Sequence, residues 1–297
     1  MNDNYTTKLD DEIDILEVGM NLFKYKNFII GLTSFFAVSS VVIALTLPVT
    51  YKSSVLVIES EPSTTPKMGG MASLVGIDIG GGGASKTAIA LQVLKSRKFF
   101  NDFDNKRNVI PLLLTSKWEK KTNTLNWPDS YNPDTKTWDG GSQPTQQYIY
   151  DNVYRKLLGV REDPITNIIE ISYIHSSPVV AKQIVDWLII DLNDQLKNDD
   201  LDEAEKSLEY LYVELQQAAS IEVRELITSM IRSKLQLKTI ANSREDYRFK
   251  ILDPAIVPEL KFKPVRSIVC IVITMIGFFI SILLTLIYHY IFNRNKV

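Results

Sequence analysis

The chain has 297 residues, with 33 Lys and Arg against 35 Asp and Glu, and none of these charges falls between Phe28 and Leu47 or between Ser267 and Phe292. Two charge-free apolar runs of that length, each enough at about 1.5 Å per residue to cross a hydrocarbon core of roughly 30 Å, exclude a simple soluble enzyme. The segment between them, Pro48 to Arg266, holds 28 basic and 29 acidic residues, a balance that excludes nucleic acid as a ligand, and Cys270, His175 and His289 are too few for a disulfide framework or a metal-cysteine site.

In chain order, residues 10 to 26 place Ile13, Leu16, Met20 and Phe23 at spacings of 3, 4 and 3, with acidic residues early and lysines late. That pattern predicts an amphipathic helix matched to its own dipole, either lying along the membrane face against a partner or simply leading into the anchor. The first apolar run follows too many residues, several of them acidic, to be a signal peptide, and is expected to be a retained span. Lys24, Lys26, Arg294 and Lys296 flank the two runs on their outer sides, which places both termini in the cytoplasm by the positive-inside rule. Lys261, Lys263 and Arg266 crowd the other end of the second run, although a domain this long translocates largely regardless of its charge.

Tyr51 to Glu59 is β-branched and bounded by Pro48 and Pro62, so it reads as a strand. Further strands are expected at Ile165 to Ile174 and at Tyr247 to Leu252, where Tyr247, Phe249 and Ile251 alternate with basic residues. A sheet joining the first and last strands would tie both anchors to one domain. Gly80 to Thr87 (GGGGASKT) tests as a phosphate-binding loop and fails, because Ser85 stands where a glycine must precede the lysine. It reads instead as a glycine loop entering a helix that begins near Ser85 or Thr87 and runs to about Phe100.

Residues 118 to 154 carry Trp118, Trp127, Tyr131, Trp138, Tyr148, Tyr150 and Tyr154 among polar residues, a composition suited either to stacking on sugars or to packing on a sheet. His175 sits at a strand-to-helix turn with no nucleophile fixed by spacing, and no nucleophile-elbow pattern occurs. Ser177 and Pro178 are an N-cap and first-turn proline, after which no glycine or proline appears until Pro254. A helix over Pro178 to Ala218 would be roughly 60 Å long. Its second half carries Leu201, Ala204, Leu208, Leu211, Leu215 and Ala218 in strict 3-4 alternation, the seam of a coiled coil. Part of such a rod is expected to project and pack on a neighbouring copy, with a second helix, about Ile221 to Ile240, returning. The acidic run Asn198 to Glu203 lacks the spacing and glycine of a calcium loop, and no catalytic residue, cofactor or metal is expected.

Several of these segments together resemble the Wzz-type polysaccharide co-polymerases, the chain-length determinants of Gram-negative inner membranes. They are DEIDI at Asp11 to Ile15, the glycine loop running into KTAIALQVLKSRKFF (Lys86 to Phe100), and the helix bearing Ala204, Ser207-Leu208 and Tyr210-Leu211. DYRFKILDPAIVP (Asp246 to Pro258) and Lys263-Pro264 lead into the second span. The second span departs from the family's glycine cluster, since Gly277 stands nearly alone, and residues 112 to 150 do not match closely. Only five residues follow Phe292, whereas related capsule co-polymerases append a cytoplasmic tyrosine kinase.

The resemblance implies an α+β fold in which two transmembrane helices flank a periplasmic domain with a membrane-proximal mixed sheet and a long projecting helix. The expected layout is a cytoplasmic segment 1–27, span 28–47, periplasmic domain 48–266, span 267–292 and cytoplasmic tail 293–297. It further implies a homo-oligomeric ring, supported along Leu201, Ala204, Leu208, Leu211, Leu215 and Ala218, and a membrane-proximal proline motif of Pro254, Pro258 and Pro264. The partners implied are a Wzy-type polymerase, lipid-linked polysaccharide and the membrane, and the function implied is non-enzymatic control of the modal length of O-antigen or a similar glycan. Rival readings keep the topology but make the protein a structural part of a polysaccharide exporter, or the membrane partner of a separate tyrosine kinase. An enzyme acting on glycans is the weakest, since no pair of carboxylates is assigned.

Overall fold

A computed structural model describes residues 23–60, 86–120, 122 and 124–294. The amphipathic segment 10–22, the glycine run 80–83 and Lys296 lie outside the described residues. In chain order the elements are α1 (Lys26–Thr46), β1 (Tyr51–Glu59), α2 (Lys86–Leu94), α3 (Arg97–Arg107), α4 (Ile110–Leu113), β2 (Lys117–Glu119), β3 (Thr124–Asn126), β4 (Tyr131–Asn132), β5 (Thr137–Trp138), α5 (Gln146–Ile149), a π-turn over Tyr150–Tyr154, α6 (Arg155–Leu157), β6 (Leu158–Glu162), β7 (Ile169–His175), α7 (Pro178–Gln217), α8 (Ile221–Ser243), β8 (Phe249–Asp253) and α9 (Arg266–Arg294). They divide into two units, one carrying Met1–Val49 with Phe262–Val297 and the other Thr50–Lys261.

In the first unit α1 and α9 pack on each other, and both are long and apolar enough to cross a membrane. Gly277 marks a close approach: a Cβ built there would stand 2.4 Å from Phe36 Cβ, well inside van der Waals contact. The lone glycine therefore does locally what a cluster does elsewhere, letting one helix receive a ring from the other. Thr33 and Ser281 bring their hydroxyls to 3.4 Å nearby, and the rings of Tyr25 and Tyr288 meet edge to face at 5.9 Å.

The second unit is built on a four-stranded sheet in the order β6-β7-β1-β8. As the sequence pattern predicts, β1 and β8, the strands next in sequence to the two apolar helices, are hydrogen-bonded neighbours. The sheet expected to be mixed has only antiparallel neighbours, because β7 and β8 both run opposite to the β1 between them. β6 was not anticipated. It holds Gly159, where a Cβ would come within 2.5 Å of Ser172 Oγ on the facing strand, so a larger residue there would oblige the serine hydroxyl to turn away.

One face of the sheet is apolar by alternation: Val55 and Val57 of β1 and Ile169, Ile171 and Tyr173 of β7 are buried. The first half of α7 lies against β1 and β7 and seals that face with Val180, Ile184, Val185, Leu188 and Leu192. Each side chain buried so fully contributes about 1.5–3 kcal/mol relative to exposure. The helix expected to run unbroken to about Phe100 is two helices, α2 and α3. Ser96 adopts an extended backbone and accepts a hydrogen bond from the Phe99 amide at 3.1 Å, so it caps a new helix rather than continuing the old one. This turn aims Phe99, Phe100 and Phe103 into the core.

Candidate functional site

The most prominent feature is the hairpin of α7 and α8. Ser177 accepts from the Val180 amide at 3.4 Å and Pro178 occupies the first turn, as the sequence requires, and α7 continues for 40 residues. Halfway along it, Asn193 fastens the helix to the strand that leads toward α9. Its Nδ2 donates to the Phe249 carbonyl at 2.9 Å, while its Oδ1 accepts from the amides of Phe249 at 2.9 Å and Arg248 at 3.1 Å. The acidic run Asn198 to Glu203 is spent on similar contacts: Asp200 accepts from the Tyr247 hydroxyl at 2.7 Å and from Arg248 at 2.8 Å. Burial together with the Asp200 hydrogen bond pushes the Tyr247 phenol well above its ordinary range.

Beyond this anchor the two helices pack on each other. Leu208 and Leu211 of α7 meet Ile227 and Ile231 of α8, with Leu215 and Ala218 closing the tip. Ala204 is buried, whereas Leu201 is half-buried. The seam expected to form the interface with a second copy is therefore covered by the chain's own return helix. A helix read alone cannot tell a partner in trans from one in cis, and α8 supplies apolar positions at matching spacing. Lys234 and Lys238 of α8 reach Glu203 and Glu205 of α7 at 3.3 and 2.6 Å. Ser220 caps α8, and Arg224 donates to the Ala218 carbonyl at 3.0 Å across the turn.

What remains open on the hairpin is a different set of residues. Val223, Leu226 and Met230 are exposed on α8, and Tyr210 and Val213 on α7. The i, i+3, i+7 spacing of the first three makes one stripe on a helix whose other face is already filled. Reading α8 for a second apolar period would have found it.

The three prolines fall in two units. Pro254 is exposed and Pro258 half-buried in the chain that follows β8, where Ala255 joins the core and Ser53 Oγ donates to the Ile256 carbonyl at 2.8 Å. Pro264, reached through a cis peptide from Lys263, belongs to the unit that contains α9.

The aromatic stretch splits into two classes. Tyr150 and Tyr154 are core residues whose hydroxyls donate to the carbonyls of Lys95 and Leu94, and burial raises the Tyr154 phenol far above its usual range. Trp127, Tyr131 and Trp138 meet in series as tilted rings at 5.6 and 5.0 Å around the β4–β5 hairpin, and Trp118 meets Tyr51 edge to face at 5.8 Å. Tyr148 is exposed.

His175 is a buried structural residue. Its Nδ1 accepts from the Ser177 amide at 3.0 Å, so Nε2 carries the proton and donates to the Leu112 carbonyl at 2.9 Å. Desolvation holds its pKa below the ordinary histidine value. A polar cleft of about 270 Å³ lies between α3 and α7, lined by Lys98, Asp102, Lys106, Asp191, Asp194 and Asp199 among others. Its deepest carboxylate, Asp191, accepts from Arg107 at 2.8 and 3.0 Å and from Lys106 at 2.7 Å. Those hydrogen bonds hold both cations above their usual pKa values. The arrangement cross-braces two helices. Among the described residues no three His, Cys, Asp or Glu side chains are grouped to hold a metal ion, and Thr87, at the end of the failed phosphate-loop pattern, donates to the Glu59 carboxylate.

Two helices long and apolar enough to cross a membrane, together with a sheet-based unit that carries a long helical hairpin, define an α+β class of protein. Residues 11–105 match the family model described as Wzz, chain length determinant protein, the family that the sequence motifs resemble. No curated protein matches the chain. Solved structures similar to it include a full-length bacterial polysaccharide co-polymerase, at 13% identity and TM-score 0.41, covering 97% of this chain and 100% of that one. A fragment of WzzB, a polysaccharide co-polymerase from Salmonella Typhimurium, is 11% identical with TM-score 0.29, covering 72% of this chain and 100% of its own. A proline-substituted mutant of the Shigella flexneri lipopolysaccharide O-antigen chain-length regulator is 11% identical with TM-score 0.22 at the same coverages.

Proposed function

We propose that this protein is a non-enzymatic polysaccharide co-polymerase of the bacterial inner membrane that sets the modal chain length of O-antigen or a similar Wzy-dependent glycan. The observation that carries this reading is the chain-length-determinant match, which runs from before the first apolar helix into α3. In this reading residues 28–47 and 267–292 span the membrane, both termini are cytoplasmic and residues 48–266 are periplasmic. The protein works as a homo-oligomer beside the polymerase and its lipid-linked polysaccharide. Because the α7 seam is filled within the chain, the stripe Val223, Leu226 and Met230 and the pair Tyr210 and Val213 are the surfaces through which hairpins of neighbouring copies meet.

The test is the lipopolysaccharide ladder of a deletion strain. Loss of the gene should leave surface polymer present, with the modal cluster replaced by a monotonic fall in length, and the gene in trans should restore the cluster. Disappearance of all surface polymer would instead favour a structural role in export.

A further inference from the structure

The chain between β8 and α9 exposes more aliphatic surface than its surroundings explain. Ile256, Val257 and Leu260 are 68%, 43% and 84% exposed, yet the segment is not loose, because Ala255 is in the core and Ser53 Oγ holds the Ile256 carbonyl at 2.8 Å. Three exposed aliphatic side chains lie within five residues, the first two directly after these fixed points, and present apolar surface that water solvates poorly.

Covalent reach indicates what covers it. Leu260 precedes Arg266, the first residue of the second apolar helix, by six positions, and six residues of fully extended chain reach at most about 20 Å. If α9 crosses a bilayer, Leu260 is tethered near the headgroup layer that borders the hydrocarbon. Charge points the same way. Residues 256 to 266 contain Lys261, Lys263 and Arg266 against a single carboxylate, Glu259, an excess of cations that suits anionic lipid phosphates.

We propose that residues 256–261 are an interfacial lipid anchor, with Ile256, Val257 and Leu260 entering the boundary between headgroups and acyl chains and Lys261 facing lipid phosphate. The anchor rests on the proposal that α9 spans the membrane. It is distinct from the span, since the inserted side chains belong to an extended segment that ends before the helix begins.

Spin labels on the full chain test it, with Cys270→Ala removing the native thiol. Nitroxides at Ile256→Cys and Leu260→Cys are read in nanodiscs of phosphatidylethanolamine and phosphatidylglycerol by their collisions with oxygen and with a water-soluble nickel chelate. A label at Ile165→Cys, 90% exposed in the same unit, serves as the aqueous standard, and one at Leu283→Cys reports on the span. The anchor requires an oxygen-to-nickel ratio at positions 256 and 260 severalfold above that at 165, together with a lipid-like value at 283. Nickel access at 256 and 260 equal to that at 165, with 283 still lipid-like, overturns the anchor while leaving the span intact. Protection from both reagents means that protein, such as a second copy, covers the patch, and this also overturns it. An aqueous value at 283 overturns the span itself.

Discussion

Two aspartate substitutions on the hairpin separate packing within the chain from packing between copies. Leu211 is 7% exposed and faces Ile227 and Ile231. Leu211→Asp removes a burial contribution of about 1.5–3 kcal/mol and adds the cost of desolvating a carboxylate, part of which a raised pKa relieves. The local loss is expected to be about 4 kcal/mol, or roughly a thousandfold increase in the opening equilibrium of the hairpin. Leu226 is 59% exposed, so Leu226→Asp should alter the fold by no more than about 0.5 kcal/mol. Hydrogen exchange on the full chain in mild detergent reads the first effect, and light scattering of the same samples reads the second. Leu211→Asp should deprotect amides over residues 204–215 and 227–235, whereas Leu226→Asp should keep that protection and give smaller assemblies. Unchanged exchange in Leu211→Asp would refute the cis packing of the seam, and an unchanged assembly in Leu226→Asp would refute the placement of the interface on the outer stripe.

Asn193→Ala strips the partners from the Arg248 amide and from the amide and carbonyl of Phe249, whose side chain is fully buried. At about 1–3 kcal/mol for a group left unsatisfied, it should sharply accelerate exchange at Phe249, checked by the same measurement. The buried, neutral His175 has a folded pKa below its unfolded value, so its contribution to stability is complete above about pH 6.5 and is lost as pH falls from there toward the folded pKa. Denaturant midpoints taken from pH 7.5 to 5 should fall more steeply for the wild type than for His175→Gln. Gly277→Leu should force α1 and α9 apart at Phe36. A cysteine pair at Thr33 and Ser281 in a Cys270→Ala background should oxidise readily with Gly277 in place and much less with leucine there. Replacing Pro254 and Pro258 together by alanine frees the backbone that follows β8, and should broaden the glycan length distribution on the ladder while expression persists.

The sequence by itself determined the features that depend on local composition. Charge-free runs give the two apolar helices, β-branched composition between prolines gives β1, alternation with basic residues gives β8, and Ser177-Pro178 followed by a long stretch without glycine or proline gives α7. These signals are legible because each is written within one contiguous segment of chain. Tertiary structure alone decided which surface meets which. The Leu208–Leu211 seam reads identically whether its partner is α8 or another molecule, and only the fold shows that α8 fills it and leaves Val223, Leu226 and Met230 outside. Gly159 and Ser172 approach each other across β6 and β7, and Asn193 pairs the backbone of Phe249 at the edge of the sheet, contacts that neither residue's own segment announces. In each case the deciding quantity is a distance between residues far apart in the chain, which no local pattern encodes.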